Sequence, residues 1–199
     1  MMVTSARAAE GKSSTAVALA HNFARLGKSV LLVDGDLRKP AFRSLTEGKG
    51  LTKLLTSEER VADHVTATQY DKLWLLACGP VPPNPADLLA SGRFRSIIRE
   101  ASEEFDIVII DAPPVLGLAD APLLASVSHD VVLVVEAGKT RTHAALEAVN
   151  RLRSAGANIL GATLTKSTEE RGTYGYAYKY GQIDKDRTEI VMLAHHPES

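Results

Sequence analysis

The sequence predicts an α/β fold with three layers, in which helices cover both faces of a doubly wound, mostly parallel sheet. Five short apolar runs, rich in Val, Ile and Leu and bounded by turn or acidic residues, have the character of strands buried on both faces. These runs cover residues 29–34, 73–77, 106–111, 131–136 and 159–164. Helical patterns lie between several of the runs, and this alternation is typical of a doubly wound sheet.

The predicted helices cover residues 12–26, 91–104 and 142–155. Gly27 follows the first helix and Gly156 follows the third, and glycine readily adopts the left-handed conformation that ends many helices. Apolar residues recur along one side of the first helix, as expected for an element that packs against a sheet. The alternation of strands and helices therefore accounts for most of the chain up to Lys166.

Two segments depart from this rhythm. Residues 79–85, GPVPPNP, predict a surface loop, because proline has no N–H group to donate to a helix or a sheet. Beyond Lys166 the sequence is polar and rich in glycine and tyrosine. We therefore predict one folded domain over residues 1–166 and a flexible tail over residues 167–199.

Composition excludes several classes of protein. The 23 Lys and Arg residues nearly balance 24 Asp and Glu residues, for a net charge of −1, which argues against a nucleic-acid partner. The single cysteine, Cys78, excludes an intrachain disulfide framework and suits a reducing compartment. No apolar run approaches the roughly 20 residues that span a bilayer, and we see no signal peptide, so we expect a cytoplasmic protein.

Residues 6–13, ARAAEGKS, fit the pattern of a phosphate-binding loop, with Ala6 in place of the leading glycine. In such a loop the backbone N–H groups surround a phosphate, and the positive end of the following helix adds to the attraction. Lys12 should then reach the β- and γ-phosphates, and the Ser13 hydroxyl should bind Mg²⁺. The alternative is a glycine in the first turn of a helix beside a solvated lysine. The predicted nucleotide-binding residues here are Ala8, Ala9, Glu10, Gly11, Lys12, Ser13 and Ser14.

Acidic residues follow two of the predicted strands. Asp111 ends one apolar run, and Asp34 and Asp36 follow another. The carboxyl ends of parallel strands meet at the edge of the sheet where ligands bind, and a phosphate-binding loop needs a carboxylate there to hold its metal. Any one of these residues could instead be an ordinary turn or helix-capping residue. Three of them at one predicted edge favour a metal site.

Together these motifs resemble those of the bacterial tyrosine kinases, a branch of the P-loop ATPases. The phosphate loop is similar to the family's Walker A motif, residues 33–40 (VDGDLRKP) to its Walker A′ motif and residues 105–114 (FDIVIIDAPP) to its Walker B motif. Residues 79–89 resemble its proline-rich segment, and residues 174–181 (YGYAYKYG) resemble its C-terminal tyrosine cluster. The resemblance covers nearly the whole chain and implies a P-loop NTPase-like fold.

The resemblance also implies an activity and its residues. The family transfers the γ-phosphate of ATP to tyrosines, with Lys12 on the phosphates and Asp34 as the candidate base for the tyrosine hydroxyl. Ser13, Asp36 and Asp111 would hold Mg²⁺, directly or through water. An ordinary aspartate has a pKa of about 4 and a tyrosine of about 10, so we expect Asp34 mainly to orient the hydroxyl.

Four tyrosines in the tail are the expected phosphoacceptors: Tyr174, Tyr176, Tyr178 and Tyr180. Their spacing of two residues would also suit an edge strand, although the interleaved Gly175 and Gly181 weaken that interpretation. A stacking surface for single-stranded nucleic acid is a further alternative, but Lys179 is the one cation within the cluster.

The resemblance further implies partners. These are a transmembrane activator of the polysaccharide co-polymerase type, on a separate chain or in a lost N-terminal part, and a cognate tyrosine phosphatase. Contacts of the tail with a neighbouring copy would give a homo-oligomer. We accordingly expect a cytoplasmic location at the inner face of the plasma membrane, and a role in regulating exopolysaccharide polymerisation and export.

The chain departs from the family's usual pattern at several places. Ala8 and Ala9 stand where Pro-Gly is usual, and an alanine forced to a positive φ would weaken nucleotide binding. Thr165 stands where many relatives place an asparagine that reads adenine, so we include it among the nucleotide-binding residues without predicting base selectivity. The family usually has a helix before the first strand that makes ring contacts, whereas this sequence begins at that strand, so we do not expect ring assembly from this chain alone.

Two other functions stay open. A catalytically weak, kinase-like interaction module is suggested by Ala8 and Ala9. An ATPase switch of the MinD/ParA type would share the fold and the strand-end aspartates. Those ATPases carry a signature lysine five residues before the loop lysine, where this chain has Arg7, and they have no use for a tyrosine cluster.

Overall fold

Seven strands form one sheet in the computed structural model, which describes residues 1–42 and 48–167. The strands are β1 (Met2–Ser5), β2 (Val30–Asp34), β3 (Thr66–Ala67), β4 (Leu73–Leu76), β5 (Ile107–Asp111), β6 (Asp130–Glu136) and β7 (Asn158–Thr165). Their order is β3-β4-β2-β5-β1-β6-β7. Every pairing is parallel except that of the two-residue edge strand β3 with β4. The predicted mostly parallel sheet is confirmed.

Six α-helices connect the strands of the described part of the chain. They are α1 (Lys12–Arg25), α2 (Leu51–Leu55), α3 (Pro85–Ala90), α4 (Gly92–Glu104), α5 (Asp120–Ser128) and α6 (Thr142–Ser154), with a short 3₁₀ turn at Val61–Asp63. The longest, α1, has 14 residues. No helix within residues 1–42 and 48–167 is long and apolar enough to cross a bilayer.

The core lies on both faces of the sheet. On one face Ala16 and Ala20 of α1 pack against Leu32 and Ile109. On the other face Leu31 and Ile110 pack with the helices that follow β4, beneath the fully buried Phe94 of α4. Neighbouring residues of one central strand thus pack in opposite layers, which explains why the central strands are continuous apolar runs. The prediction of burial on both faces is wrong for β7, because this strand lies at the edge of the sheet and half or more of its residues are exposed.

The ends of several elements follow from local chemistry. Gly27 has a φ of 88° and its N–H donates to Ala24 O at 2.9 Å, so α1 ends at Arg25, one residue before the predicted end. Pro85, the last residue of the predicted loop, begins α3, because proline has the φ of a first helical residue and needs no N–H partner there. The tail beyond residue 167 lies outside the described residues.

The strand order determines where the predicted site residues lie in the fold. The chain runs from β1 through α1 to β2, and β5 lies between these two strands. In the register of β2 with β5, Asp34 is the direct partner of Asp111. The N–H of Gly35 donates to Asp111 O at 2.8 Å, which extends the pairing one residue past the strand. Two carboxylates therefore meet beside the loop that leaves β1.

Candidate nucleotide and metal site

The phosphate loop joins β1 to α1 and contains two left-handed residues. Ala9 has a φ of 65° and Gly11 a φ of 94°. Glycine adopts such angles freely, whereas an alanine there costs roughly 1–2 kcal/mol. The second alanine therefore has the conformation for which a glycine is better suited. Other contacts must offset this strain for the loop to keep its shape.

Glu10 supplies some of those contacts. Its side chain is buried, and its Oε2 accepts the N–H of Arg7 at 2.8 Å. The hydroxyl of Thr140, which precedes α6, donates to Oε1 at 2.5 Å. The carboxylate of this predicted nucleotide-binding residue thus shapes the loop. A phosphate would meet the backbone of Glu10.

Thr165 lies beside the loop at the end of β7. Its hydroxyl donates to the carbonyl oxygen of Glu10 at 2.6 Å, and its methyl carbon would lie 3.4 Å from a Cβ added at Gly11. Together with Ser14 it borders a groove of about 410 Å³ between α1 and β7. The structure therefore places Thr165 as a support of the loop, and its contact with a base stays a prediction.

Lys12 lies over the acidic edge of the sheet. Its Nζ is 3.1 Å from Asp36 Oδ2 and 3.7 Å from Asp111 Oδ1. The Ser13 hydroxyl is 3.5 Å from the same nitrogen. Lys12 is almost buried, so its charge acts at short range on these carboxylates and on any anion that enters the loop.

Asp34 is fully buried and accepts two backbone hydrogen bonds. The N–H of Phe42 donates to Oδ2 at 2.9 Å, and the N–H of Asp36 donates to Oδ1 at 3.3 Å. Burial raises the pKa of this carboxyl to about 7; the charge of Asp111 also raises it, while the two N–H groups and Lys12 lower it. Asp34 is therefore far more basic than the ordinary aspartate assumed from the sequence.

Asp111 is the most exceptional carboxylate of the site. It is fully buried, and neither oxygen accepts a hydrogen bond of normal geometry from the residues that the structure describes. Burial raises its pKa, against the opposing effects of the nearby Lys12 ammonium and Ser13 hydroxyl. Buried carboxylate oxygens without hydrogen bonds are costly unless a cation compensates them.

This donor set fits Mg²⁺. The cation prefers oxygen ligands and is commonly held by one or two carboxylates together with substrate phosphates and water. Asp36 and Asp111 supply two carboxylates, and Ser13 supplies a hydroxyl next to them. No cluster of three or more His, Cys, Asp or Glu ligands occurs in residues 1–42 and 48–167, so phosphate and water would complete the shell.

The raised pKa of Asp34 gives a testable pH dependence. Unfolded Asp34 releases its proton near its ordinary value of 3.8, whereas the folded form holds it to about 7. Its contribution to stability is complete below the lower value and is lost as pH rises through the upper one. In Mg²⁺-free buffer, we expect the free energy of unfolding to fall more between pH 5 and pH 8 in the wild type than in Asp34→Asn. Urea denaturation at each pH measures this difference, and parallel curves for the two proteins would contradict it.

Comparison with known proteins shows the family to which the chain belongs. A family model described as an AAA domain matches residues 2–159. The tyrosine-protein kinase YwqD of Bacillus subtilis is 41% identical over 188 residues, which cover 92% of this chain and 78% of the relative. The chain belongs to the bacterial tyrosine kinases. The resemblance seen in the sequence motifs is confirmed, and the protein is a kinase.

Solved structures separate the bacterial tyrosine kinases from their more distant relatives. The kinase domain of the Escherichia coli tyrosine kinase ETK aligns with a TM-score of 0.78 and 29% identity, covering 91% of this chain and 72% of that one. The cell division ATPase MinD of Pyrococcus furiosus reaches 0.69 and 25%, covering 82% and 70%. The likeness to MinD reflects the shared architecture. The higher TM-score and identity of the tyrosine kinase domain favour the kinase over the ATPase switch.

In this bacterial tyrosine kinase the predicted site residues meet at one edge of the sheet. Lys12, Ser13, Asp36 and Asp111 are neighbours, and Asp34 lies next to Asp111. The four candidate phosphoacceptor tyrosines, residues 174–180, lie outside the described residues. Their role stays a prediction.

Sequence reasoning missed a group of supporting residues. They are Glu136, the last residue of β6, Thr140, which follows β6, and Lys166, which follows β7. Thr140 and Lys166 contact the loop, and Glu136 pairs with Lys166. Along the chain, 130 residues separate Thr140 from Glu10, the loop residue that it contacts. The signal available in the sequence was their position just after predicted strands, at the edge where ligands bind.

Arg38 of the Walker A′ segment makes a structural contact in this kinase. Its Nε and Nη2 donate to the two carboxylate oxygens of Asp120 at 2.6 and 3.1 Å. Asp120 lies in the first turn of α5 and its side chain is 1% exposed, whereas that of Arg38 is 40% exposed. The pair ties the segment that carries Asp36 to α5.

We expect Arg38→Ala to lower the free energy of unfolding by about 1–3 kcal/mol, because it leaves a buried carboxylate without its cation. Urea denaturation measures this loss. Arg151→Ala is the matched control: Arg151 pairs with Glu147 at 2.8 Å with both side chains nearly half exposed, and such a pair contributes about 0.5 kcal/mol or less. Equal losses for the two variants would contradict the prediction.

Proposed function

We propose that this kinase transfers the γ-phosphate of ATP to tyrosines of its own C-terminal cluster: Tyr174, Tyr176, Tyr178 and Tyr180. The observation that carries the proposal is the position of Lys12. Lys12 follows the phosphate loop, and its Nζ lies close to two carboxylates at the edge of the sheet, those of Asp36 and Asp111. In this proposal residues 1–166 form the kinase domain and residues 167–199 the substrate tail.

Each residue of the site has a role in this proposal. The backbone of the loop and Lys12 bind the triphosphate, and Lys12 partly exchanges its contact with Asp36 for phosphate oxygens. Ser13, Asp36 and Asp111 would hold Mg²⁺, which when bound neutralises negative charge on the phosphoryl oxygens. Binding and positioning by these groups provide most of the catalysis, since phosphoryl transfer needs little covalent help from the protein.

Asp34 receives the tyrosine hydroxyl. A carboxylate with a pKa of about 7 is closer to that of a tyrosine than an ordinary aspartate is, and a base works best when its pKa lies near the working pH. Its two backbone hydrogen bonds hold the carboxylate in one orientation. Asp34 can therefore both orient the hydroxyl and accept its proton late in the transfer.

The tail would link activity to assembly. Each phosphotyrosine adds about −1.5 to −2 charges, so a fully phosphorylated cluster becomes strongly anionic. Repulsion within the cluster and from the acidic edge around Asp111 would release the tail from a neighbouring copy. This supports a homo-oligomer that forms through tail contacts and dissociates on phosphorylation.

Membership of the bacterial tyrosine kinases supports the remaining partners. These are a transmembrane co-polymerase-type activator, which would bring the kinase to the inner face of the plasma membrane, and a cognate tyrosine phosphatase. In this setting the phosphorylation cycle would regulate exopolysaccharide polymerisation and export.

Labelling with γ-labelled ATP and Mg²⁺ tests the proposal, with and without a membrane activator fragment. We expect label on residues 174–180, mapped by mass spectrometry, and its loss when all four tyrosines are replaced by phenylalanine. ATP hydrolysis without protein label would instead indicate a MinD/ParA-type switch.

The second candidate is a kinase-like interaction module that binds ATP weakly or not at all. The left-handed φ of Ala9 favours it, because strain in the loop reduces the population that can bind. Calorimetry distinguishes the two: absence of ATP binding by the wild type would support the module and contradict the kinase.

A further inference from the structure

Lys166 connects the end of the sheet to the strained residue of the phosphate loop. It is the first residue after β7, and its Nζ donates to the carbonyl oxygen of Ala9 at 2.6 Å. The same nitrogen is 3.2 Å from Glu136 Oε2, which holds the ammonium in place. Lys166 therefore connects Ala9 to Glu136 at the end of β6.

The hydrogen bond from Lys166 to the Ala9 carbonyl fixes the orientation of the whole peptide group between Ala9 and Glu10. A trans peptide is planar, so its carbonyl and the N–H of the next residue point in opposite directions. When Lys166 holds the Ala9 carbonyl, the N–H of Glu10 is directed away from Lys166. Thr165 holds the next carbonyl, that of Glu10, at 2.6 Å, and so directs the N–H of Gly11 in the same manner.

These two N–H groups belong to the set that a phosphate-binding loop offers to its ligand. Ala9 has a φ of 65°, and an alanine released from outside contacts would leave this region for a conformation of lower energy. Such a change would rotate the following peptide and misdirect the N–H of Glu10. The bond from Lys166 opposes this rotation.

We propose that Lys166 is a positioning residue that keeps the phosphate loop in its nucleotide-binding conformation by holding the carbonyl of Ala9. This inference deepens the proposed function and rests on ATP binding at the loop. It also explains how an alanine is tolerated at position 9, where a glycine would fit without strain.

Half of the Lys166 side chain is exposed, so its ion pair with Glu136 contributes little to global stability. Replacing Lys166 should therefore weaken ATP binding while the melting temperature stays nearly constant. Lys139 offers a matched control: its Nζ is also 3.2 Å from Glu136 Oε2, but the bond to Ala9 comes from Lys166. Both variants remove one positive charge from the same carboxylate.

The experiment measures the Kd of ATP by calorimetry and the KM and kcat of phosphorylation for the full chain. We expect Lys166→Met to raise Kd and KM by about 5- to 30-fold, the range that corresponds to the cost of a left-handed alanine, with kcat at saturating ATP little changed. Lys139→Met should change Kd by less than about 2-fold. In an Ala9→Gly background, Lys166→Met should raise Kd by less than about 3-fold, because glycine holds the conformation unaided.

Each contrary outcome has a distinct meaning. Unchanged ATP affinity in Lys166→Met overturns the inference and leaves the proposed function standing. A loss that is equally large in the Ala9→Gly background also overturns it, because Lys166 would then act by direct attraction of phosphate. No ATP binding by the wild type contradicts both the inference and the proposed function.

Discussion

Lys12→Met is expected to reduce tyrosine phosphorylation by ~100- to 1000-fold, the effect of removing one preorganised charge from a transition state. The Lys12 ammonium lies 3.1 Å from Asp36 and 3.7 Å from Asp111. Its loss removes a phosphate ligand and also leaves two carboxylates facing the incoming triphosphate uncompensated. ATP affinity and transfer should therefore fall together.

Transfer of labelled phosphate and calorimetric ATP binding measure these two effects. Lys28→Met is a suitable control, since Lys28 has a half-exposed side chain 4.0 Å from Asp106 and precedes β2, at the opposite edge of the sheet. It should leave both quantities unchanged. Transfer at wild-type rate in Lys12→Met would show that the loop is not the site of ATP.

Asp34→Asn is expected to reduce transfer by ~100- to 10,000-fold, as for the loss of a general base, with ATP affinity within a few fold of the wild type. The substitution keeps the size of the side chain but removes its charge and one acceptor oxygen. One of the N–H groups of Phe42 and Asp36 must then lose its partner. ATP binding in the variant reports that the loop is intact.

Asp34→Glu provides the companion variant, because it keeps the charge but moves the carboxylate. Its transfer rate should exceed that of Asp34→Asn if proton acceptance matters, and equal it if orientation alone matters. Transfer persisting in both variants would exclude Asp34 from the chemistry. Loss of ATP binding in both would assign it a structural role.

Strands β2, β4, β5 and β6 were predictable because a strand buried on both faces is a continuous apolar run. Leu31 and Leu32 are neighbours in β2 and pack in opposite layers of the core, so both positions are apolar in the sequence. Helix α5 carries no comparable signal, since it is short and apolar on most sides. The two-residue strand β3 depends on its antiparallel pairing with β4, which no local pattern indicates.

The site was predictable where its residues belong to local motifs. Lys12 and Ser13 follow the loop, Asp111 ends β5, and Asp36 comes two residues after the end of β2. The parallel pairing of β2 with β5 brings the two carboxylates to the same edge of the sheet. Lys166 was not predictable as a support of Ala9, because 157 residues separate them and only the sheet order makes them neighbours. The pKa of Asp34 likewise depends on burial, which the sequence does not reveal.

A crystal structure of the protein soaked with Mg·ATP tests the central claim most directly. We predict that the triphosphate lies in the loop over residues 6–11, with Lys12 beside the β- and γ-phosphates. The metal should contact Ser13 and the carboxylates of Asp36 and Asp111, directly or through water. A loop that stays empty, or that collapses around Ala8 and Ala9, would contradict the account.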